Sequence, residues 1–397
     1  MTVYIKPYRA TNHSLRIMKI AFIHNDPRYV SGTNYINKLI EKKMIEKGIE
    51  TAAVYPDPDI FFRGFPADLS GLVEVLVFFS TCRDKNKVIE CDAVYGTTYS
   101  AIAYLGYSKK IISHFGSTMQ GVITALAVDH DCSSDWVWRE MKGAQAIDAV
   151  EFNPTKDRFL NDIARLEAYV ARNAATVIAV SKKVKDELID QRVPEDKIKI
   201  VHNGVEDFWF ESDQAYDHVL GNFGVCALGR IGGRIKDLKI KGVDRLAAVY
   251  ENIGDIEKTS ILLSRNERAC QWMEKRFKNH TLHRNLSKEG VKEIVSKLRG
   301  HALLITSRYE GFSLPMVEGM SQGLIPVSFK VGVAPEIIKN GENGFIVGSV
   351  KDMIAKIKQL AGDKNKRVKM AEAAAETARK FSADSMANKV ADIIRSI

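Results

Sequence analysis

Leu303-Leu304-Ile305-Thr306-Ser307-Arg308-Tyr309-Glu310-Gly311-Phe312-Ser313-Leu314-Pro315-Met316-Val317-Glu318-Gly319-Met320-Ser321 runs on to Ile325-Pro326-Val327-Ser328-Phe329, and this stretch decides the fold. The apolar run at 303–305 shows no polar alternation, as expected of a strand buried on both faces of a parallel sheet. Pro315 stands where a first helical turn tolerates it, and Gly323 closes the helix before the next apolar run. The unit is strand, glycine-bearing loop, helix, strand. Such a loop presents free backbone N–H groups at a helix N-terminus, which is an anion site. Glu310 before the helix and Glu318 inside it flank that site. Amides for a phosphate, with carboxylates on either side to accept hydroxyl hydrogen bonds, suit a nucleotide sugar.

The same alternation extends in both directions. Met18-Lys19-Ile20-Ala21-Phe22-Ile23 reads as the first strand, and residues 1–17 before it as a polar, basic extension. A loop with Asn25-Asp26-Pro27 and Ser31-Gly32-Thr33 leads into a helix over 34–47 and a strand at 51–55. Open α/β sheets bind ligands at such strand ends, which makes Gly32 a candidate. Strands follow at 92–95, 110–114 and 175–181, with a mostly helical stretch between 117 and 173. Residues 200–205 close this unit, and 206–222, polar and aromatic without periodicity, suit a linker. Gly224-Val225-Cys226-Ala227-Leu228-Gly229 opens a second alternation, with strands at 261–263, 281–283, 303–305, 325–329 and 344–347. Helices over 371–380 and 385–397 end the chain. The fold class is therefore α/β, with two doubly wound domains in one chain.

Composition agrees with this plan. A length of 397 residues favours two domains or a little more. Hydrophobic and charged contents of 45% and 27% fit a soluble globular protein. Cys82, Cys91, Cys132, Cys226 and Cys270 are scattered without a C-x-x-C pair and read as reduced, buried thiols of a cytosolic protein. No apolar run approaches the roughly 18–20 residues of a bilayer span, and the start lacks the apolar core of a secretory signal. A net charge of +9 permits contact with anionic lipid, nucleic acid or acidic glycan without choosing among them.

The stretch quoted first resembles the paired-glutamate signature of retaining GT-B glycosyltransferases, most closely glycosyltransferase family 4 (glycosyl transferases group 1). Glu310 and Glu318, with seven residues between them, stand at the matching positions. The resemblance implies that Glu310 faces the donor sugar and Glu318 the nucleotide ribose, with Gly311, Phe312, Ser313 and Leu314 forming the donor loop. Gly229-Arg230 and Lys241-Gly242 match the cations that hold the donor pyrophosphate. Fixed cations stabilise charge developing on a departing diphosphate. The spacer at 231–240 is longer and more basic than is usual in the family, so Lys239 competes with Lys241 for the phosphate role. His114 matches a histidine near the anomeric carbon, with polar contact as its expected role. Val180-Ser181 and His202-Asn203-Gly204-Val205 resemble hinge-side segments, with His202 where proline is common. Val331-Gly332-Val333-Ala334-Pro335-Glu336 matches closely, and Glu336 reads as a first-turn carboxylate stabilised by its helix. The segment Leu263-Ser264-Arg265-Asn266-Glu267 departs from the family's glycine-rich turn.

The implied domains are an extension at 1–17, a Rossmann-like acceptor domain at 18–205, a linker at 206–222 and a Rossmann-like nucleotide-sugar domain at 223–384. The final helix, 385–397, is expected to pack back on the first domain. The implied catalytic residues are Glu310, His114, Arg230 and Lys241. The implied donor-binding residues are Gly32, Arg230, Lys241, Glu310, Gly311, Phe312, Ser313, Leu314 and Glu318. No cofactor and no metal are expected. The Asp129-His130-Asp131-Cys132 run has adjacent ligand types, which rarely converge on one ion. The implied reaction is retaining transfer of a hexosyl or N-acetylhexosaminyl group from a nucleoside-diphosphate sugar, UDP or GDP, to a hydroxyl. The acceptor is a glycan, a lipid-linked or a small molecule, in glycan, glycolipid or envelope polysaccharide synthesis. The expected location is cytoplasmic, with peripheral contact to anionic membrane through the charge and the aromatic stretch at 60–65; nucleic acid is not an expected partner. A nucleotide-sugar epimerase of the same architecture, or transfer to nucleic acid, are the alternatives. Trp136 and Trp138 read as packing residues that could otherwise line an acceptor groove.

Overall fold

The computed structural model describes residues 18–25, 32–57, 71–82, 85–107, 110–128, 135–147, 152–211 and 222–397. The extension at 1–17, the Asp129–Cys132 run and the aromatic stretch at 60–65 lie outside the described residues.

Within the described residues the strands form two six-stranded, fully parallel sheets. The first holds β1 (Lys19–Ile23), β2 (Glu50–Val54), β3 (Ala93–Thr97), β4 (Lys110–Phe115), β5 (Thr176–Ala179) and β6 (Ile198–Ile200), in the order β2-β1-β3-β4-β5-β6. The second holds β7 (Gly224–Ile231), β8 (Glu257–Ser264), β9 (His280–Arg284), β10 (Ala302–Ile305), β11 (Ile325–Phe329) and β12 (Phe345–Val347), in the order β12-β11-β10-β7-β8-β9. β3, β10 and β11 are buried along their whole length, which explains their unbroken apolar runs. In the second sheet the strand order reverses between β7 and β10, so the connections leaving them diverge and open a crevice there. Arg230 lies at the end of β7, and Glu310 on the loop after β10.

The helix Gly32–Glu46 buries Ile36, Leu39, Ile40 and Met44, a helical-period stripe, against the first sheet. The last helix, Ala383–Arg395, buries Ala383, Met386, Ala387, Val390, Ala391 and Ile394 in that same cluster, so the chain's end lies on the first domain. Lys43 fastens the two helices by an ion pair to Asp384 at 2.9 Å. The chain thus crosses between the domains twice, and the crossings are zipped together. Val205 N–H donates to the Phe381 carbonyl at 2.9 Å, and Ala383 N–H donates to the Val205 carbonyl at 2.8 Å. Gly204 permits this approach, since a Cβ there would lie 2.2 Å from the Ser382 carbonyl oxygen.

Two expectations change. The start of the presumed linker is packed rather than loose: a 3₁₀ turn, Asp207–Phe210, buries Trp209 at 1% exposure. The helix expected over 371–380 begins earlier, at Lys364–Ala378, because the Asp363 side chain caps it by accepting from the Lys366 amide.

Candidate active site

The carboxyl ends of β3, β4, β7 and β8 face one cleft of about 610 Å³. Gly32, His114, Arg230, Lys241, Glu310, Gly311, Phe312, Ser313, Leu314 and Glu318 all line it. The fold brings together residues that lie far apart along the chain.

The floor is set by the two loops at the strand-order reversal. Residues 235–240 of the basic spacer wind into a short helix, Ile235–Ile240, with Lys241 as its C-cap. A cation is favoured at that end by the helix dipole. Gly242 follows in a left-handed conformation (φ 61°) and starts the next helix, Val243–Asn252. Lys241 Nζ lies 2.7 Å from Glu310 Oε1, and Ser307 Oγ donates to the same oxygen at 2.7 Å. Lys239 instead sits over the Trp138 ring, 5.9 Å from its centroid. The cleft lysine is therefore Lys241, and the tryptophan packs.

The loop is pinned from beneath by a pair not anticipated from sequence. Arg308 grips Asp244 through two hydrogen bonds of 2.6 and 2.7 Å, with side chains 5% and 0% exposed. Arg308 N–H also donates to the Ile240 carbonyl at 2.8 Å. Ser313 then turns through φ 96° to enter the helix Leu314–Ser321. A non-glycine residue there costs on the order of 1–3 kcal/mol, a strain that recurs where loops are shaped around ligands.

Glu318 lies in that helix and is 8% exposed. Burial raises its carboxyl above the usual range, and Lys288 at 3.2 Å opposes the rise. Lys288 was not anticipated. It also stacks on the Tyr35 ring at 3.3 Å and approaches Glu206 at 3.7 Å. Nothing local to the Lys288 sequence signals this; its contact with Glu318 lies within the second domain, and its contact with Tyr35 joins the two domains.

His114 ends β4 at 2% exposure. Burial lowers its pKa to about 4, so the ring is neutral at physiological pH. Nδ1 lies 2.6 Å from the Tyr95 hydroxyl, while Nε2 is buried with no hydrogen-bond partner and the residue lines the cleft. Burial also keeps the Tyr95 hydroxyl protonated. Either atom of that pair can donate, so Nε2 is a donor in one tautomer and an acceptor in the other. Other cleft-lining residues also carry buried polar atoms without partners, Asn203 Oδ1 and Trp209 Nε1 among them.

Glu336 corrects its expectation. Its helix, Ala334–Ile337, has four residues, and the carboxylate reaches across to the first domain. It accepts from Lys182 N–H at 2.8 Å and pairs with His202 Nε2 at 2.9 Å. Histidine in place of proline thus supplies an interdomain partner. Among the described residues no cluster of three or more His, Cys, Asp or Glu is placed to hold a metal ion. No described helix is long and apolar enough to cross a membrane.

Two facing parallel sheets, a cleft at their carboxyl ends and a C-terminal helix returned to the first domain define the GT-B class. Residues 241–377 match the family model "Glycosyl transferases group 1", and residues 143–207 match "Glycosyltransferase Family 4". The chain belongs to this glycosyltransferase family. A relative in Methanocaldococcus jannaschii, an uncharacterized glycosyltransferase, is 28% identical over 223 residues, 54% of this chain and 57% of that protein. The alignment thus spans a little over half of the relative. Among solved structures, sucrose-phosphate synthase from Thermosynechococcus elongatus superposes with a TM-score of 0.69 at 15% identity, covering 96% of this chain and 98% of the other. Anabaena HepE in complex with UDP and glucose superposes at 0.64 and 16% identity, covering 96% and 100%. These likenesses report the shared fold.

Proposed function

We propose that the protein transfers a sugar, with retention of anomeric configuration, from a nucleoside-diphosphate sugar to a hydroxyl acceptor. The observation that carries this reading is the convergence of Arg230, Lys241, Glu310, Glu318 and the N-terminus of helix Leu314–Ser321 on one cleft. Each part has a chemical task. Helix amides, Arg230 and Lys241 take the diphosphate, whose negative charge grows as the glycosidic bond breaks. Glu318 accepts hydrogen bonds from the ribose hydroxyls. Lys241 holds Glu310 beside the phosphate-binding floor, at the position of the transferred sugar. His114 presents Nε2 of a neutral ring to a sugar or acceptor hydroxyl. The UDP complex of the HepE structure supports a nucleotide in the corresponding cleft. The acceptor lies against the first domain and attacks the face that the diphosphate leaves.

The test is a panel of nucleotide sugars in a thermal-shift assay, followed by product analysis with the stabilising donor. A bound donor raises stability by mass action. The product should keep the donor's anomeric configuration. An inverted product would overturn the retaining assignment, and a panel without any shift would overturn the donor class.

A further inference from the structure

The residue before Glu310 belongs to the other domain as much as to its own. Tyr309 is 3% exposed. Its hydroxyl accepts from Thr118 N–H at 2.9 Å and donates to Glu187 Oε2 at 2.8 Å, both on the first domain. Thr118 Oγ1 donates to the same Glu187 oxygen at 2.6 Å. Lys183 Nζ lies 2.9 Å from the second Glu187 oxygen, which fixes the carboxylate from the far side. The residue after Glu310 is held in the same way. Ser181 Oγ donates to the Gly311 carbonyl at 2.7 Å. Gly311 packs so tightly on Gly116 that a Cβ would lie 1.8 Å from the Gly116 carbonyl oxygen. Glu310 therefore sits on a loop whose two neighbours are fastened to the opposite domain, while its own carboxylate is fastened to Lys241 of the floor.

We infer that Tyr309 is a positioning residue that makes donor activation conditional on domain closure: its hydroxyl docks on Glu187 and Thr118 only when the domains meet, and this docking sets Glu310. The inference rests on the glycosyltransferase reading for its catalytic consequence. Its structural half stands on the hydrogen bonds alone. With the domains apart, the hydroxyl and the Glu187 carboxylate both return to water, and the loop loses two of its anchors. Nucleotide binding to the floor needs neither anchor. A closure-dependent loop of this kind withholds the catalytic group until the site is dry, which limits loss of the activated sugar to water.

The test uses the full-length protein with Tyr309→Phe, which keeps the ring and removes the hydroxyl, together with Glu187→Ala and the double variant. Each single variant should lower kcat roughly 10- to 100-fold, the scale of one hydrogen bond to a charged group. UDP and GDP affinities should stay within about twofold of wild type, since ground-state binding is untouched. The double variant should be no slower than the slower single, because both remove one shared interaction. In parallel, amide hydrogen exchange on ligand-free protein reports the docking directly. The Thr118 amide should lose protection in Tyr309→Phe, while the core of the second sheet keeps its own. Full kcat in Tyr309→Phe, or losses that multiply in the double variant, would overturn the inference. If wild type transfers no sugar, the glycosyltransferase reading falls, and the exchange arm still decides the docking: unchanged Thr118 protection refutes it.

Discussion

At the scale of single residues, the two glutamates separate cleanly. Glu318 is buried in the cleft, and in the proposed role as a ribose ligand it acts on ground and transition states alike. Glu318→Ala should therefore weaken the donor and free nucleoside diphosphate together, raising KM more than it lowers kcat. Glu310→Gln keeps the shape and removes the charge that the proposed mechanism sets against the anomeric centre. It should lower kcat by roughly 10²-fold or more, the scale of one well-placed electrostatic group, while calorimetric nucleotide affinity stays near wild type. Full turnover in Glu310→Gln would sink the role assignment. His114 adds a pH signature. Its pKa, lowered by burial to about 4, keeps the ring neutral well below the pH at which an exposed histidine protonates. Activity should therefore show no limb from this residue near pH 6.5, and the acid limb that His114→Asn abolishes should lie near pH 4. The lowered pKa also means that the unfolded chain binds this proton first, so the contribution to stability is lost as pH falls between those values.

At the scale of elements, the strand–loop–helix order of the second domain and the glutamate pair were legible in the sequence. Apolar runs, a helix-start proline and closing glycines are local signals. What could not be read was tertiary. Lys241-Gly242 matches the family's pattern and leaves Lys239 as a rival; the helix Ile235–Ile240 turns Lys239 toward Trp138 and Lys241 toward Glu310. Arg308 and Asp244 lie 64 residues apart, and neither position hints at the other. Breaking that buried pair leaves an uncompensated charge beneath the catalytic loop. Asp244→Ala should cost about 3–5 kcal/mol in denaturant unfolding, and the double replacement with apolar residues much less. A cost within 1 kcal/mol would place the pair's importance elsewhere. The helix Met119–Val128 supplies a second element-scale test. Glu167, 4% exposed, accepts from the Met119 amide at 2.6 Å, with burial and the nearby Glu187 charge raising its pKa to about 8. The folded state then holds a proton that the unfolded chain has released, so stability should fall with rising pH between about 4.5 and 8, by up to about 1.4 kcal/mol per pH unit. Glu167→Gln still accepts the Met119 hydrogen bond and should flatten that slope. A variant that tracks wild type across this range would contradict the buried-acid reading.

At the scale of the whole molecule, the cleft takes its cations Arg230 and Lys241 from one domain and is closed by the other. If Arg230, Lys241 and helix amides neutralise the diphosphate as proposed, chelator should leave the transfer rate nearly unchanged. Loss of most activity in chelator, restored by magnesium or manganese, would show that the cations do not suffice. The two crossings between the domains, joined edge to edge at Val205 and at Phe381 and Ala383, have a mechanical meaning. A flat ribbon bends readily across its width and resists twisting and sideways shear. Two hydrogen bonds side by side tether the domains like the spine of a book, which predicts one hinge-like opening rather than a sideways slide. Distances between paired labels on the two domains should then change along one coordinate, and independent sliding would refute it.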